Sequence, residues 1–592
     1  MQTIDPITLE IIASNLSNIC AEMAIVIHKT SRSTICNETR DFSTALLDAK
    51  GRLIAQTLGC PILMGASKWS AMAMLEDFKD DIHDGDIIIS NDSYHGGAHL
   101  GDMTLFIPIF HKGKLVLIPS TRAHQADAGG GGDVPGGMNY HATHILEEGI
   151  RITPLRICEA GKMKNDVLEW VLRNSRYRDW MYGDIAAMTG SCQIARRRLS
   201  ELIDRFGIEW ILSTVDYLID YTERRFRSEI EKWPDGTYEG VSYLDSDGLE
   251  TRNIKFQVAV TVKDGDLKID FTGSSPQAPG PVNSPIANTW SMVFIALSCM
   301  IPEDIPKNEG IFRPIELIAP EGSIVNPREG AANGICTVHP AAEINEAISL
   351  ALSQAIPHKV GHSWEKKAQP YVSGINPRTG KRYLNMCWVT ANSGQGAAYG
   401  VDGWGGLPCA KSGMAYMTVE ATEVEFPQFI LEREFVIDTD GPGKWRGGNT
   451  VKCVVRNDAP NSYVCATVWG GNHPTEGLMG GKQGDRSHLH IKRKGEPEIV
   501  FNGGERCEEY LNEGDLFINF KGGGGGWGNP LQRDPELVKE DFIDEYISIE
   551  AAERSYGVVI NPDTMEIDYE LTAVRRREMS RDSQLSYYSK PT

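Results

Sequence analysis

The run His95-Gly-Gly-Ala-His99-Leu-Gly-Asp102 reads as a glycine-rich loop feeding a β-hairpin. Met103-Thr-Leu-Phe-Ile-Pro-Ile-Phe-His111 and Lys114-Leu-Val-Leu-Ile-Pro-Ser120 are apolar, rich in branched and aromatic residues, and joined by Lys112-Gly113. A two-residue loop pairs His111 with Lys114. Carried along the strands, that register sets Asp102 opposite Ala123, with His124 one residue further and His99 on the loop entering the same end. Pro108 and Pro119 interrupt a regular ladder, so the register is approximate. The wider segment Ser90–Gly137 holds four of the 14 histidines (His95, His99, His111, His124) and the aspartates Asp102, Asp127 and Asp133.

Two imidazoles and a carboxylate suit zinc, manganese or iron(II) with a position left for water or substrate. His99-x-x-Asp102 with His124 is such a set. The competing reading has His99 and Asp102 capping a turn and His124 as an ordinary strand-end residue, since H-x-x-D is a short pattern.

Working outward toward the N-terminus, Asp41-Phe-Ser-Thr-Ala-Leu-Leu-Asp48, the turn Ala49-Lys50-Gly51 and Arg52–Gln56 form a second hairpin with Asp41 at its open end. Asp41 is either a turn former or, if it meets the His99 loop, a fourth ligand. Asp5-Pro6 opens a helix with an N-cap acid and a proline at its first position. Leu9, Ile12, Leu16, Ile19, Met23 and Val26 then recur at helical spacing.

Toward the C-terminus, Cys192–Trp233 is helical with a break at Gly207, and Arg196–Arg198 reads as a solvated helix face. Trp233-Pro-Asp-Gly236 marks a turn and a domain boundary. The period then becomes two: Phe256, Val258, Val260 and Val262 alternate, Asp264-Gly265 turns, and Leu267, Ile269 and Phe271 alternate back. Helices are expected at about 286–300 and between Pro340 and Pro357, with Ile344, Ile348 and Leu352 on one face. Strands return after Glu425, at Val451–Val455 and Tyr463–Trp469. Gly522–Gly526 is either a mobile loop or a place of close backbone approach. The tail from Asp534 is polar, helical in its first half, and reads as an arm packing on this chain or a partner. The expected segments are 1–233 with the metal site, 234–335 rich in strands, 336–430 with a helix, 431–530 rich in strands, and 531–592 as the tail.

The chain has 592 residues, enough for several domain-sized units, and a formal charge of −21. A pI near 5.2 argues against nucleic acid, which requires basic faces. Met1–Asp5 lacks a signal-peptide pattern, and the longest apolar run, around Trp290–Ile301, is too short to span a membrane. Twelve cysteines with no C-x-x-C pair fit reduced thiols, so a cytoplasmic protein is expected. No P-loop, dinucleotide fingerprint or G-x-S-x-G elbow occurs, and Gly480-Gly481-Lys482-Gln483 lacks the lysine–hydroxyl pair.

The chain resembles the hydantoinase B / 5-oxoprolinase group, the second subunit of ATP-dependent lactam hydrolases. The resemblance rests on collinear blocks from Asp5 to about Gly557. They are Arg40-Asp-Phe-Ser43, Asn91-Asp-Ser-Tyr94, Gly96-Gly-Ala-His-Leu100, His124-Gln-Ala-Asp-Ala-Gly129, Glu148-Gly149, Asp270–Gln277, Gly280-Pro-Val-Asn283, Asn308-Glu-Gly310, Pro320-Glu-Gly-Ser323 and the Gly522 cluster.

The resemblance implies an α+β fold, multi-domain, with mixed, largely antiparallel sheets and peripheral helices. It implies a heteromer, (αβ)2, with an actin-like hydantoinase A-type ATPase subunit that binds ATP and magnesium. It implies a small cyclic-amide substrate and one divalent metal, zinc first and manganese or iron as alternatives, held by Asp41, His99, Asp102 and His124. Asp127 is then a candidate base or a group orienting a ligand imidazole, and equally a turn cap; Glu148 is a weaker candidate for the same work. The loop Gly129–Gly137 departs from the family's shorter stretch, and His141 and His144 beyond it either reach the site or lie on the surface. More distant relatives are ketone carboxylases, which would take bicarbonate; a non-catalytic subunit with a structural metal is the third reading.

Overall fold

The protein is described by a computed structural model covering residues 5–57, 59–131, 138–361, 366, 368–390, 393–407 and 413–588. Asp133, the rest of the 132–137 glycine loop and Cys409 lie outside the described residues. The chain divides into two compact units, Met1–Ala351 with Ala410–Met417, and Leu352–Cys409 with Thr418–Thr592.

The first unit is built on an antiparallel sheet. Its strands are β1 (Phe42–Asp48), β2 (Leu53–Gln56), β3 (Ile87–Ser90), β4 (Asp102–Phe106), β5 (Ile109–His111), β6 (Lys114–His124), β7 (Leu155–Glu159) and β8 (Lys162–Met163). The order is β2-β1-β6-β4-β3-β7-β8, with β5 also on β6. β6 is therefore internal, flanked by β1 and β4.

Alternation along the strands divides the sheet into two faces. Phe42, Leu46, Met103, Leu105, Leu117 and Ala123 join one apolar core with Ile12, Leu16 and Met23 of the helix Pro6–Thr30 and Met188 and Leu199 of the helix Arg178–Phe206. The opposite face carries Asp41, Ser43, Asp102, Thr104, Arg122 and His124, and the Ser67–Phe78 helix packs there, with Arg122 Nη2 donating to Ser70 Oγ at 2.5 Å.

The Pro6–Thr30 helix begins as read: the Asp5 carboxylate accepts the Thr8 N–H at 2.9 Å, and Pro6 stands in the first turn. By length and composition alone this helix could cross a bilayer. Its Ile12, Leu16, Ile19, Met23 and Ile27 are nevertheless buried against the sheet and the Arg178–Phe206 helix. Gly207 (φ +82°) breaks the helical region, and Ile208–Ile230 resumes it.

A second sheet follows, β9 (Gly236–Ser246), β10 (Arg252–Lys263), β11 (Asp266–Asp270) and β12 (Ile315–Ile318). The Asp264-Gly265 turn has both residues at positive φ, and Lys263 pairs with Asp266 as the hairpin reading requires. β12 adds in parallel, which makes the architecture mixed. The expected helices are Ile286–Met300 and Ala341–Leu352.

In the second unit, Val451–Asn457 and Ser462–Thr467 are strands as read. The glycine cluster is a close approach of backbones. A Cβ on Gly524 would stand 1.9 Å from the Gln395 carbonyl oxygen, and one on Gly525 1.9 Å from that of Glu476. N–H···O bonds from distant segments of the chain, such as the Gly441 N–H to the Gly524 carbonyl and the Leu478 N–H to the Gly526 carbonyl, occupy the backbone instead. The tail is helical beyond its first half: Pro535–Ile543 and Ile549–Tyr556 are followed by Tyr569–Tyr588. Polar composition there concealed a helix that anchors through Arg576, whose guanidinium donates to the Tyr556 and Arg533 carbonyls.

Candidate metal centre

The hairpin register differs from the sequence expectation by one residue, and the difference builds the site. His111 pairs with Lys114 and Phe110 with Leu115, but Ile109 pairs with Leu117, leaving Val116 as an extra residue on β6. Beyond this bulge the register holds, so Phe106 faces Ser120 and Asp102 faces His124 directly. A one-residue slip exchanges the faces of a strand. Without the bulge, Asp102 would face the core residue Ala123 and His124 would point away from it.

On the other side of β6, Phe42 pairs with Ala123, and the His124 N–H donates to the Asp41 carbonyl at 3.0 Å. Asp41, His124 and Asp102 thus form one row across three adjacent strands. His99 enters from the loop, where the Asp102 N–H closes a turn onto the His99 carbonyl at 3.0 Å. Asn91 Nδ2 pins the Leu100 carbonyl at 2.9 Å, and the Gln125 N–H donates to Gly101 at 2.8 Å. Gly96 (φ +82°) lies so close to the Ser67–Phe78 helix that a Cβ would meet the Trp69 carbonyl carbon at 2.3 Å.

His99, Asp102 and His124 are all buried, and one ligand atom of each lies within 4.8 Å of the others. Asp102 Oδ1 stands 3.1 Å from both His99 Nε2 and His124 Nδ1, and the two rings stack at 5.0 Å. Asp102 Oδ2, His99 Nδ1 and His124 Nε2 have no hydrogen-bond partner. Buried polar atoms without partners are costly, and a ligand-binding site is a standard reason for them. The set therefore fits a divalent ion by donor type, number and proximity.

Burial would raise the Asp102 carboxyl, yet the charges of His99 and His124 and their hydrogen bonds hold it well below the usual carboxylate range. Burial opposes protonation of His124, but its hydrogen bond to Asp102 and the charges of Asp41 and Asp102 raise its pKa overall. Asp41 is pushed up to about 6 by burial and by Asp102, with His124, a Cys60 hydrogen bond and His99 opposing. Its carboxylate is thus coupled to all three residues while lying outside the 4.8 Å trio.

The structure does not bring Asp127 into this group. Its carboxylate receives Arg176 Nε and Nη2 at 2.9 and 2.8 Å and the Gly129 N–H at 3.0 Å. Glu148 is buried, with Oε1 accepting the Asn333 and Gly334 N–H groups at 2.8 and 2.6 Å and Oε2 without a partner. Burial pushes its carboxyl up to about 8. Cys336, which donates to the Ala98 carbonyl at 3.4 Å, lies in the field of both Asp102 and Glu148. His141 and His144 are exposed, and His144 caps the short helix Ile145–Glu147.

Sequence reasoning passed over Arg122. Two residues before His124 along β6, the strand presents the same face again, which is the signal that would have found it.

Residues 5–530 match the family described as hydantoinase B/oxoprolinase. The chain is 32% identical to the beta subunit of the caprolactamase of Pseudomonas jessenii over 95% of this chain and 97% of that protein. It is 29% identical, over 98% and 99%, to a protein of Pseudomonas sp. (strain NS671) provisionally named as the B-type subunit of a D-/L-hydantoinase. The crystal structure of the ATP-dependent caprolactamase from P. jessenii superposes with a TM-score of 0.89 at 28% identity, covering 97% of this chain and 100% of the matched one.

Proposed function

The chain belongs to the hydantoinase B/oxoprolinase family, and on that premise we propose that it is the metal-holding subunit of an ATP-dependent cyclic-amide hydrolase. The observation that carries the reading is the buried group His99, Asp102 and His124, each with one polar atom lacking a partner, and Asp41 on the same row. Amides are poor electrophiles, so coupling ring opening to ATP is chemically reasonable. Relatives named as subunits support a separate partner, and the family resemblance implies that ATP and magnesium bind there. That partner is a hydantoinase A-type ATPase, in an (αβ)2 assembly, which phosphorylates the lactam or hydantoin oxygen.

His99, Asp102, His124 and Asp41 would hold one ion, zinc by preference for this nitrogen–oxygen set, with manganese or iron as alternatives. Bound there, a divalent ion supplies Lewis acidity and lowers the pKa of a water toward ~7. The chain's own residues set the geometry: the β6 bulge aims Asp102 and His124 together, and the glycine loop fixes His99. Asp127, its carboxylate engaged by Arg176, is assigned to holding the loop after His124. Glu148, its carboxyl raised to about 8 by burial, is ill suited to act as a base and is assigned to holding the Asn333–Gly334 backbone.

The test is metal analysis of wild type beside His99→Ala, with ATP-dependent opening of a lactam panel in the presence of the partner subunit. About one metal per chain, lost together with activity in the variant, is expected. Full activity in the metal-free variant would remove the reading. Fixation of labelled bicarbonate into a stable carboxylate, without ring opening, would select the carboxylase alternative.

A further inference from the structure

Arg122 is fully buried, yet it has no carboxylate of its own. Its Nε donates to Thr104 Oγ1 at 2.7 Å and its Nη2 to Ser70 Oγ at 2.5 Å, with the Gly96 and Ala66 carbonyls at 3.4 and 3.5 Å. Every acceptor is neutral, and Nη1 has no partner. Among the described residues it forms no ion pair, although Lys68 on the neighbouring helix is paired with Glu309 at 2.6 Å. A buried charge without a counter-charge is strongly unfavourable. Burial lowers the guanidinium's pKa to about 10, with the Asp102 carboxylate, one row away on the same face, opposing it.

The register explains why. Arg122 pairs with Ser43 on β1 and Thr104 on β4, forming the row next to Asp41–His124–Asp102 on the same face. Ser43 Oγ in that row also lacks a partner. In the loaded centre a dication and the carboxylates of Asp41 and Asp102 cancel, so the charge of Arg122 is left over.

We infer that Arg122 gives the loaded centre a net positive charge and thereby selects an oxyanion, a phosphate- or carboxylate-bearing ligand, over a neutral one. The inference rests on the metal reading above and specifies the ligand class of that site. Arg122 acts through the field it places at the ligand position and not by touching the reacting atoms, so it is a positioning residue. Phosphoryl groups on an activated ring and the carboxylate of an opened one both belong to this class.

The test uses the full chain loaded with cobalt(II), whose visible absorption reports ligand exchange. Inorganic phosphate and acetate are titrated into wild type, Arg122→Met, Arg122→Gln and Arg122→Lys. A unit charge two residues along the strand, roughly 7 Å away, at an effective dielectric near 20 predicts anion affinity about tenfold or more weaker in the neutral variants, and largely restored in Arg122→Lys. Weakening of phosphate alone assigns the site to phosphoryl groups, of acetate alone to carboxylates, and of both to oxyanions generally. Arg122→Met and Arg122→Gln that take cobalt and bind both anions as tightly as wild type would overturn the inference while leaving the metal reading intact. A wild type that takes no cobalt would overturn the metal reading and this inference with it. A simple structural role would move melting temperature in all three variants without the charge-dependent pattern of anion affinity.

Discussion

Asp102 and His124 face each other across β4 and β6 because Val116 has no partner on β5. Deleting Val116 keeps the Lys112-Gly113 turn but moves His124 out of register with Asp102. Metal content is expected to fall to a small fraction of wild type, read by elemental analysis. A variant that kept full metal would show that the bulge does not aim the ligands.

Glu148 gives a pH signature with a defined sign. Its folded carboxyl is raised to about 8 from an ordinary 4.5, so the folded chain binds a proton that the unfolded chain releases. The stabilisation is complete below 4.5 and is lost as pH rises to 8, by at most about 1.4 kcal/mol per pH unit. Asp41 and Asp440, both raised to about 6, titrate lower, and His124, raised above 6.5, titrates in wild type and variant alike, so the difference between the two from pH 6 to 8 isolates Glu148. Glu148→Gln preserves the acceptor for Asn333 and Gly334 and is expected to flatten denaturant midpoints between pH 6 and 8 relative to wild type.

Asp127→Asn separates loop support from chemistry. The Arg176 clamp is partly exposed on the arginine side, so a loss of about 1–3 kcal/mol in stability is expected. Bound metal should be unchanged. Loss of metal at unchanged stability would instead place Asp127 with the ligands.

Gly524→Ala tests the close packing of glycine backbones. A Cβ 1.9 Å from a carbonyl oxygen cannot be accommodated without moving the chain, and no soluble folded protein is expected. Gly514→Ala, at φ +89° with open space around it, should cost about 1–2 kcal/mol from backbone strain alone. Equal, small effects on expression and melting temperature would show that the cluster yields readily.

Much of the first unit was legible from residues. The Asp5-Pro6 start, the Lys112-Gly113 and Asp264-Gly265 turns and the period-two strands all depend on local chemistry, and the structure has them. His99, Asp102 and His124 were brought together by the hairpin, and the fold and family expectations hold. The bulge escaped because nothing in Leu115-Val116-Leu117 distinguishes an extra residue from a paired one; Ile107-Pro108 marks where the ladder stops but not by how much it shifts. The role of Gly522–Gly526 depends on segments more than 30 residues away, which local propensity does not encode. The helix Tyr569–Tyr588 was missed because its polar sequence lacks the apolar stripe that betrays a packed helix.

The row across β1, β6 and β4 is drawn from residues 41 to 124, whereas the cradle of Glu148 waits for Asn333 and Gly334. Both belong to the first unit, so the row and the cradle form as that one unit folds. The donor row is thus drawn from one contiguous stretch, whereas the buried acid takes its partners 185 positions away, so a substitution near Asn333 reaches the acid without touching the row.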